Sequence, residues 1–281
     1  KPVQQILNAT KKIINGDFNV RIEPMDTFGK RNELDIIIDN FNEMAGELGS
    51  IETLRTDFIS NVSHELKTPL SIIQNYSALM QDERTTDLER KEYSKSIYET
   101  SQNLSNLITN ILKLNKLENQ KIFLETSEYN LSEQLIECLL CFESIWEEKN
   151  INIDVDIEED LMLNADKELT SIIWNNLYSN AFKFTEDSGE VSIKAKSENN
   201  FIIISISDNG CGMSKDTGKH IFEKFYQGDT SHATNGNGLG LALVKRIIDI
   251  MNADIYIEST LGKGTTFTVK LDLNKNKIYN I

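Results

Sequence analysis

The stretch Ser63–Leu70, SHELKTPL, places a histidine, a carboxylate, a hydroxyl and a proline inside a run of helical periodicity. A neutral imidazole is a good nucleophile, and the Glu65 carboxylate beside His64 could orient the ring and accept its proton. Thr68 follows His64 by four residues and so shares its helix face. Because Pro69 lacks the N–H that would bond the Glu65 carbonyl, we expect a kink or a loosened turn there. A lone helical histidine is more often structural, so its interpretation depends on the rest of the chain.

Two glycine-rich segments could bind a phosphorylated ligand. The first, DNGCGM, follows an apolar stretch, so Asp208 would stand at a strand end beside glycines that let the backbone approach a ligand. The second, GNGLGLAL, opens a predicted helix, whose unpaired N–H groups and partial positive charge favour phosphate. Each segment alone could equally be a simple turn or a helix start.

A third candidate is the predicted helix LTSIIWNNLYSNAFKFT, where Asn176, Asn180 and Lys183 occupy positions i, i+4 and i+7 on one face. Amide oxygens are hard ligands suited to Mg²⁺, and lysine is a point charge for phosphate. The same stripe could be a solvated face. Neither the dinucleotide motif G-x-G-x-x-G, nor G-x-x-x-x-G-K-[ST], nor the protein-kinase signature loops occur, so any nucleotide site is of another kind.

Composition limits the possible partners. The chain has 281 residues, 39% of them hydrophobic, and a formal net charge of −15. The negative charge disfavours nucleic acid as a partner. The spacing of Cys138, Cys141 and Cys211 provides neither a disulfide framework nor a zinc site, so we expect inert thiols and the cell interior. The apolar runs LIECLLCF and FIIISI are shorter than the roughly 18 residues of a membrane span.

Two long helices are predicted to carry the histidine. Apolar residues recur every three to four positions from Ile51 to about Met80 and again from Leu88 to Leu117, with the polar connection QDERTTD between them. This pattern indicates an antiparallel hairpin, and a second copy completing a four-helix bundle would bury its seam. Before it, residues 2–48 read as a helix, a connector containing Pro24, and another helix.

After Asn119 the pattern changes to an α/β domain. Helices are predicted over Leu131–Lys149, Lys167–Phe184 and Leu239–Met251. The β-branched stretches NINIDVDI, EVSIKAK, NFIIISIS, ADIYIEST and GTTFTVKLDL alternate with them as strands. Between Asp208 and Leu239 lies a long polar loop with a short helical possibility in its middle, and such loops are usually functional.

The order NLYSNAFKFT, DNGCGM, FEKFYQ, GNGLGLAL and GKGTTF resembles the asparagine, glycine and phenylalanine boxes of sensor histidine kinases, relatives of the gyrase and mismatch-repair ATPases. SHELKTPL resembles their histidine box, so the resemblance covers residues 51–273. Residues 2–48 are more loosely similar to a HAMP relay, which in this family follows a transmembrane helix. The resemblance implies a multi-domain chain: HAMP-like relay over 1–50, a dimeric four-helix bundle carrying the histidine over 51–119, and a GHKL (Bergerat-type) α/β two-layer sandwich over 120–281.

The resemblance also implies ATP and Mg²⁺ as cofactors. Asp208 would accept a hydrogen bond from the adenine amino group, while Gly210 and Gly212 keep the backbone close. Asn180 matches the Mg²⁺ ligand, with Asn176 beside it. The remaining expected contacts are Lys183 for the phosphates, Phe184 for adenine packing, and Gly236, Gly238 and Gly240 for the triphosphate. Leu239 and Thr265 are also expected in the nucleotide site.

Residues 211–238 would form a lid over the nucleotide, anchored by Phe222 and Phe225. The family often has a basic residue where Gln227 stands, so a lid cation assisting the γ-phosphate is not expected at that position. The two other histidines, His220 and His232, are interpreted as polar lid residues.

In the implied reaction the γ-phosphoryl group passes to His64, Glu65 accepts the ring proton, and the phosphoryl group then moves to an aspartate of a cognate response regulator. The pair Glu65 and Thr68 resembles the E-x-x-T signature of members that also dephosphorylate that partner. The alternatives are a GHKL ATPase acting as a clamp and a phosphatase-dominant or non-catalytic dimeric scaffold. We expect a homodimer and the cytoplasmic portion of a membrane-anchored sensor.

Overall fold

The computed structural model describes residues 2–23, 33–119, 124–228 and 236–273. Pro24 of the predicted connector and His232 of the predicted lid lie outside these ranges. The chain divides into two compact units, Lys1–Asn75 and Tyr76–Ile281. Each unit is therefore described by itself.

The first unit contains helix α1 (Pro2–Ile14) and most of helix α2 (Glu33–Met80). A small core joins them, formed by Ala9, Ile22, Ile38 and Phe41. The Asn42 side chain binds the backbone of Ile22 twice, accepting from its N–H at 2.9 Å and donating to its carbonyl at 2.8 Å. These bonds satisfy the polar groups of an extended segment that has no strand partner in the described part of the unit.

Helix α2 continues without interruption across residue 50, where the sequence suggested a domain boundary, and across Pro69. The turn that we expected to loosen at Pro69 is therefore still helical, and a bend there remains a prediction. Since the two predicted helical runs, 33–48 and 51–80, join into one helix, the boundary at residue 50 also stays a prediction.

In the second unit a tight connection joins the end of α2 to helix α3 (Asp87–Asn119). Arg90 donates from its guanidinium to the carbonyls of Met80, Asp82 and Thr85. These bonds satisfy carbonyl groups that the end of a helix leaves without partners. The polar sequence QDERTTD is thus a structured turn, held in part by Arg90.

The rest of the second unit is a two-layer α/β fold. Its five-stranded sheet has the order β2-β4-β5-β7-β6, in which only the β2–β4 pair is parallel. A smaller antiparallel pair joins β1 to β3. The strands are β1 (Ser127–Asn130), β2 (Asn152–Ile157), β3 (Met162–Ala165), β4 (Glu190–Glu198), β5 (Phe201–Asp208), β6 (Asp254–Thr260) and β7 (Gly264–Asp272).

Helices form the second layer of this fold. They are α4 (Leu131–Leu140), α5 (Glu143–Glu148), α6 (Lys167–Phe184), α7 (Lys215–His220) and α8 (Gly240–Ile250). Alternate residues of β4, β5 and β7 are buried, as in Val191 and Ile193 of β4. Trp174, Tyr178 and Phe182 of α6 are fully buried, so one face of α6 belongs to the core and the opposite face carries its polar residues.

One sequence prediction needs correction, and two strands were missed. The helix expected over Leu131–Lys149 is divided into α4 and α5, because the chain turns at Cys141 and Phe142. Strands β1 and β3 were not predicted, since each is four residues long and they pair only with each other. Within the described ranges, no helix has the length and apolarity of a membrane span.

The end of α3 packs on α8 within the same unit. Leu114 and Leu117 of α3 are buried, and Arg246 of α8 donates to the Leu117 carbonyl at 3.0 Å. Lys224 forms an ion pair with Glu118 at 2.7 Å. Helix α3 and the α/β layers of this unit are therefore joined by both apolar and polar contacts.

Candidate active site

Helix α6 is fixed at its start by Asp166, whose carboxylate accepts from the N–H groups of Glu168 and Leu169, each at 3.1 Å. Such a cap determines where the helix begins and therefore which residues face the sheet. Asn176, Asn180 and Lys183 are half-buried on the face away from the core. The stripe predicted from the sequence is thus present.

Asp208 ends strand β5 in the centre of the sheet, opposite Val191 of β4 and Thr265 of β7. Its Oδ1 accepts a hydrogen bond from the Gly210 N–H at 3.0 Å. Burial raises the pKa of the Asp208 carboxyl to about 6, although backbone N–H groups of Gly210 and Thr265 favour the ionised form. The result is a half-buried carboxylate with capacity to accept a hydrogen bond from a ligand.

Close backbone contacts surround this carboxylate. A Cβ at Gly210 would clash with the Phe184 carbonyl, and a Cβ at Gly264 would clash with the Asp208 carbonyl. Gly264 also has a φ of +107°, which side chains rarely tolerate. The end of α6, the end of β5 and the start of β7 thus meet with no space for a side chain between them.

The second glycine segment lies beside α6. A Cβ at Gly236 would stand 2.5 Å from Nζ of Lys183, and a Cβ at Gly240 would stand 2.5 Å from Oδ1 of Asn176. Gly238 packs against the backbone of Phe225 with a φ of +63°. Leu239, at the start of α8, is fully buried. The structure therefore brings the predicted lysine and asparagine next to the predicted glycine turn.

The polar groups of α6 are available to different degrees. Asn176 donates from its amide nitrogen to the Ile172 carbonyl at 2.7 Å, which directs its oxygen towards Gly240. Asn180 makes no side-chain hydrogen bond within the described residues. Burial lowers the pKa of Lys183, whose ammonium lies 4.7 Å from the centre of the Phe184 ring. An amide oxygen and a partly desolvated cation thus share one surface.

The predicted lid is described only in part, as residues 229–235 lie outside the described ranges. Phe222 and Phe225 are half-buried, and the Phe225 N–H donates to the Gly238 carbonyl at 3.0 Å. The Gln227 amide donates to the Gly236 carbonyl at 2.8 Å. Gln227 therefore has a structural contact that the sequence did not suggest. His220 is half-buried and pairs with Glu223 at 2.6 Å, consistent with a polar lid position.

His64, Glu65 and Thr68 lie on α2 in the first unit. His64 is exposed, and its ring makes no hydrogen bond within the described residues. The Thr68 hydroxyl donates to the His64 carbonyl at 3.3 Å, so the two side chains share a face as predicted. Glu65 is not hydrogen-bonded to the imidazole, because adjacent helical residues point about 100° apart.

Lys149 is a residue that the sequence did not single out. Its ammonium donates to the carbonyls of Phe182 and Thr185, both at 2.8 Å, at the end of α6. A single lysine in the polar stretch EEKN gives no periodic signal, and only the fold brings it to that helix end.

Two family models match the chain. The "His Kinase A (phospho-acceptor) domain" matches residues 54–120, which include His64. The "Histidine kinase-, DNA gyrase B-, and HSP90-like ATPase" matches residues 165–275, which include α6, Asp208 and both glycine segments. The chain belongs to the sensor histidine kinases. The predicted resemblance to this family is thereby confirmed, whereas neither match extends to residues 2–48.

Curated relatives of this histidine kinase include the "Heme sensor protein HssS" of Staphylococcus saprophyticus, 33% identical over 272 residues. That alignment covers 96% of the chain and 57% of the relative, so the chain spans little more than half of its relative's length. The HssS protein of Staphylococcus aureus is 32% identical over 277 residues, which are 98% of the chain and 59% of that relative.

Two solved structures resemble the kinase. Full-length ShkA in complex with AMPPNP is 27% identical with a TM-score of 0.58, and the alignment covers 78% of the chain and 45% of ShkA. The histidine kinase ThkA, solved with the response regulator protein TrrA, is 23% identical with a TM-score of 0.67 and covers 81% of the chain and 64% of ThkA. At that identity ThkA bears on the fold alone.

Proposed function

We propose that this protein is an ATP-dependent protein histidine kinase that phosphorylates His64 and passes the phosphoryl group to an aspartate of a response regulator. The observation that carries the proposal is the convergence of Asp208, Lys183 and the glycines of residues 236–240 on one surface. This surface belongs to a region that matches an ATPase family, and His64 lies in a region that matches a phospho-acceptor family.

Asp208 would recognise the base. Its carboxylate already accepts one backbone hydrogen bond and can accept another from the exocyclic amino group of adenine. Because Gly210 has no side chain, the Phe184 carbonyl packs directly against the backbone beside Asp208, and the Phe184 ring is half-buried nearby. The bound AMPPNP in the ShkA relative supports an adenine nucleotide as the ligand.

Lys183 and the glycine segment would hold the triphosphate. The Lys183 ammonium stands beside Gly236, and the start of α8 offers backbone N–H groups close to Gly240. Leu239 would fix that helix start through its burial, and Thr265 would hold the Asp208 backbone through the strand pairing. Half-burial of Lys183 increases its attraction for an anion.

Asn180 would bind Mg²⁺, with Asn176 next to it. A half-buried amide without a hydrogen bond in the described structure offers a hard oxygen of the kind that Mg²⁺ prefers. When bound, the ion would offset the negative charge of the transferring phosphoryl group. Asn180 thus fits the proposed metal through the chemistry of its donor atom.

At His64 the reaction forms a nitrogen–phosphorus bond and breaks the bond between the γ-phosphorus and its bridging oxygen. The electron pair of the broken bond leaves with ADP, and the ring proton passes to Glu65. Because the ring makes no hydrogen bond in the described residues, Glu65 must approach it by a rotamer change or with water. Exposure of His64 suits an acceptor that must meet two different partners.

The test is incubation with γ-labelled ATP and Mg²⁺, followed by treatment of the labelled protein with acid or base. We expect an acid-labile, base-stable label on the wild-type protein and none on His64→Gln. A wild-type protein that hydrolyses ATP without becoming labelled would support the clamp ATPase instead. Equal labelling of both proteins would refute His64 as the acceptor.

We also propose that Thr68 positions a water for dephosphorylation of the response regulator. The hydroxyl shares the His64 face and at present donates to a backbone carbonyl, so it can rotate to a water. We expect Thr68→Ala to lose phosphatase activity towards a phosphorylated receiver domain and to keep autophosphorylation. If both activities remain unchanged, the role assigned to Thr68 is wrong.

Further proposals concern the organisation of the chain. We propose a HAMP-like relay over residues 1–50, a dimerisation and phosphotransfer hairpin over 51–119 and an ATP-binding domain over 120–281, in a homodimer attached to the cell membrane. Exposed apolar residues such as Leu70 and Leu112 support a partner copy along the hairpin. Sedimentation equilibrium tests the dimer: a monomer at micromolar concentration would contradict it.

A hinge at Pro69 is proposed to transmit the signal along α2. Proline removes one helical hydrogen bond even where the helix continues, so the turn before it should open more easily. We expect hydrogen exchange in residues 62–70 to change when nucleotide is added. If hydrogen exchange in these residues does not change when nucleotide is added, the helix is static there and the proposed hinge is wrong.

A further inference from the structure

Lys149 holds the end of helix α6. Its ammonium donates to the carbonyls of Phe182 and Thr185 at 2.8 Å and lies 3.4 Å from the carbonyl of Lys183. The last carbonyls of a helix have no intrahelical partner and carry the negative end of the helix dipole. A lysine offers three donors and a positive charge, so one side chain satisfies this helix end.

The backbone of Lys149 holds the next turn. Its carbonyl accepts from the Ser188 N–H at 2.7 Å, and Ser188 has a φ of +61°. Within that turn, the Gly189 N–H donates to the Glu186 carbonyl at 3.0 Å. Both ends of the turn between α6 and β4 are therefore tied to one residue.

This turn determines where the residues after Asp208 lie. The Phe184 carbonyl is so close to Gly210 that no Cβ fits between them, and the Gly210 N–H donates to Oδ1 of Asp208 at 3.0 Å. A displacement of the end of α6 would thus move Gly210 and rotate the Asp208 carboxylate.

A second connection reaches the same place through β4. The Asn209 side chain accepts from the Glu190 N–H at 2.8 Å, and the Asn209 N–H donates to the Glu190 carbonyl at 3.1 Å. A Cβ at Gly189 would clash with the Thr185 side chain, so this part of the turn has little freedom. Lys149 therefore acts on the two residues that follow Asp208, Asn209 and Gly210.

We propose that Lys149 is a positioning residue for base recognition, which orients the Asp208 carboxylate towards the amino group of adenine without touching the nucleotide. The proposal rests on the function proposed above and adds a residue that determines its base specificity. Its physical basis is that small displacements of a preorganised hydrogen-bonding group reduce discrimination strongly.

The test compares the dissociation constants of ATP and inosine triphosphate, which has a 6-oxo group in place of the 6-amino group. Calorimetric titrations use the full chain as wild type, Lys149→Met, Lys149→Arg and Lys196→Met. Lys196 is a matched control, because it is an exposed lysine of the same unit whose ion pair is with Glu198 at 2.6 Å.

We expect wild type and Lys196→Met to prefer ATP to the same degree. Lys149→Met should lower that preference roughly tenfold, the value of about one hydrogen bond, with little change for inosine triphosphate. Lys149→Arg should recover most of the preference, since it restores a cation with several donors.

Equal weakening of both nucleotides by Lys149→Met would mean a purely structural role and would overturn the proposal. An unchanged preference would overturn it as well, while leaving the kinase function intact. If the wild type does not discriminate between the two nucleotides, base recognition by Asp208 and the positioning role of Lys149 are both refuted. The phosphorylation of His64 would then still be decided by the labelling experiment. If Lys149→Met fails to fold, Lys149→Gln is measured instead, because it keeps a donor on a shorter side chain. Its preference for ATP over inosine triphosphate must then fall, by less than tenfold.

Discussion

The histidine region of α2 and the carboxylate region of β5 differ in almost every physical respect. His64 is exposed on one helix, where the Thr68 hydroxyl beside it bonds to a backbone carbonyl. Asp208 lies in the centre of a five-stranded sheet, with glycine contacts on two sides. An acceptor that must meet several partners requires access, whereas a group that discriminates between bases requires a fixed position.

This difference predicts that the two regions respond oppositely to mutation. Changes on the α2 face should alter chemistry and leave folding intact, because few contacts depend on those side chains. Changes around Asp208 should alter stability and binding together, since its neighbours are backbone atoms in close contact. Four mutations test this contrast.

The largest expected effect is loss of the phosphoryl label in His64→Gln, because no other imidazole would occupy its position. Its free energy of unfolding should change by no more than about 0.5 kcal/mol, as expected for an ordinary surface substitution. Labelling assays and thermal denaturation of the same preparation measure both quantities. A strongly destabilised variant would mean that the α2 face is more constrained than its exposure indicates.

The next effect is on stability and concerns Gly264→Ala. The added Cβ would clash with the Asp208 carbonyl at a φ of +107°, so we expect a loss of more than about 4 kcal/mol. Gly262→Ala is the matched control, because Gly262 has a φ of +75° and nothing within 4 Å of the added Cβ. Denaturant titration should give this control a loss of only about 1–2 kcal/mol. Equal losses would show that the close packing around Asp208 relaxes easily.

A third effect is the pH dependence conferred by Asp208. Since burial raises its pKa from 3.8 to about 6, the folded protein binds a proton that the unfolded chain has released, and this contribution to stability falls as pH rises from about 4 to 6. The fall is at most about 3 kcal/mol. Asp208→Asn should remove this part of the pH dependence, be more stable at pH 8 and bind ATP more weakly. Urea titrations between pH 4 and 8 measure the free energy of unfolding of both proteins. If it depends on pH in the same way in Asp208→Asn as in wild type, the buried carboxylate is contradicted.

The smallest effect is expected for Lys183→Met. Removing a half-buried cation whose pKa is lowered by burial should cost little stability and weaken ATP binding roughly tenfold, with adenosine binding unchanged. Lys196→Met, an exposed substitution of the same charge, should behave as wild type. Weakened adenosine binding would place Lys183 on the base instead of the phosphates.

Much of the fold and the site was predictable because the signals are local. The bounds of α6 agree with the prediction over Lys167–Phe184, since an aspartate cap and a clear apolar period define that helix. The glycine segments and Asp208 were identified from motif order, and the structure brings Lys183 and Asn176 to the second of these segments.

The features that were missed depend on contacts distant in sequence. Strands β1 and β3 have no independent pattern and exist because they pair with each other. The separation of α4 from α5 follows from how Phe142 packs against Phe182 and Tyr178. Lys149 carries no motif, because its partners lie more than 30 residues further along the chain. Such contacts can be recognised only in the folded structure.

The central place of β5 in its sheet has a consequence for partly opened molecules. Edge strands such as β2 and β6 fray before central ones, because each has a neighbour on one side only. Asp208 is bonded to neighbours through β4 and β7, so it should keep its position while the borders of the sheet exchange with solvent. Recognition of the base would then be among the last properties that a warmed or strained molecule loses.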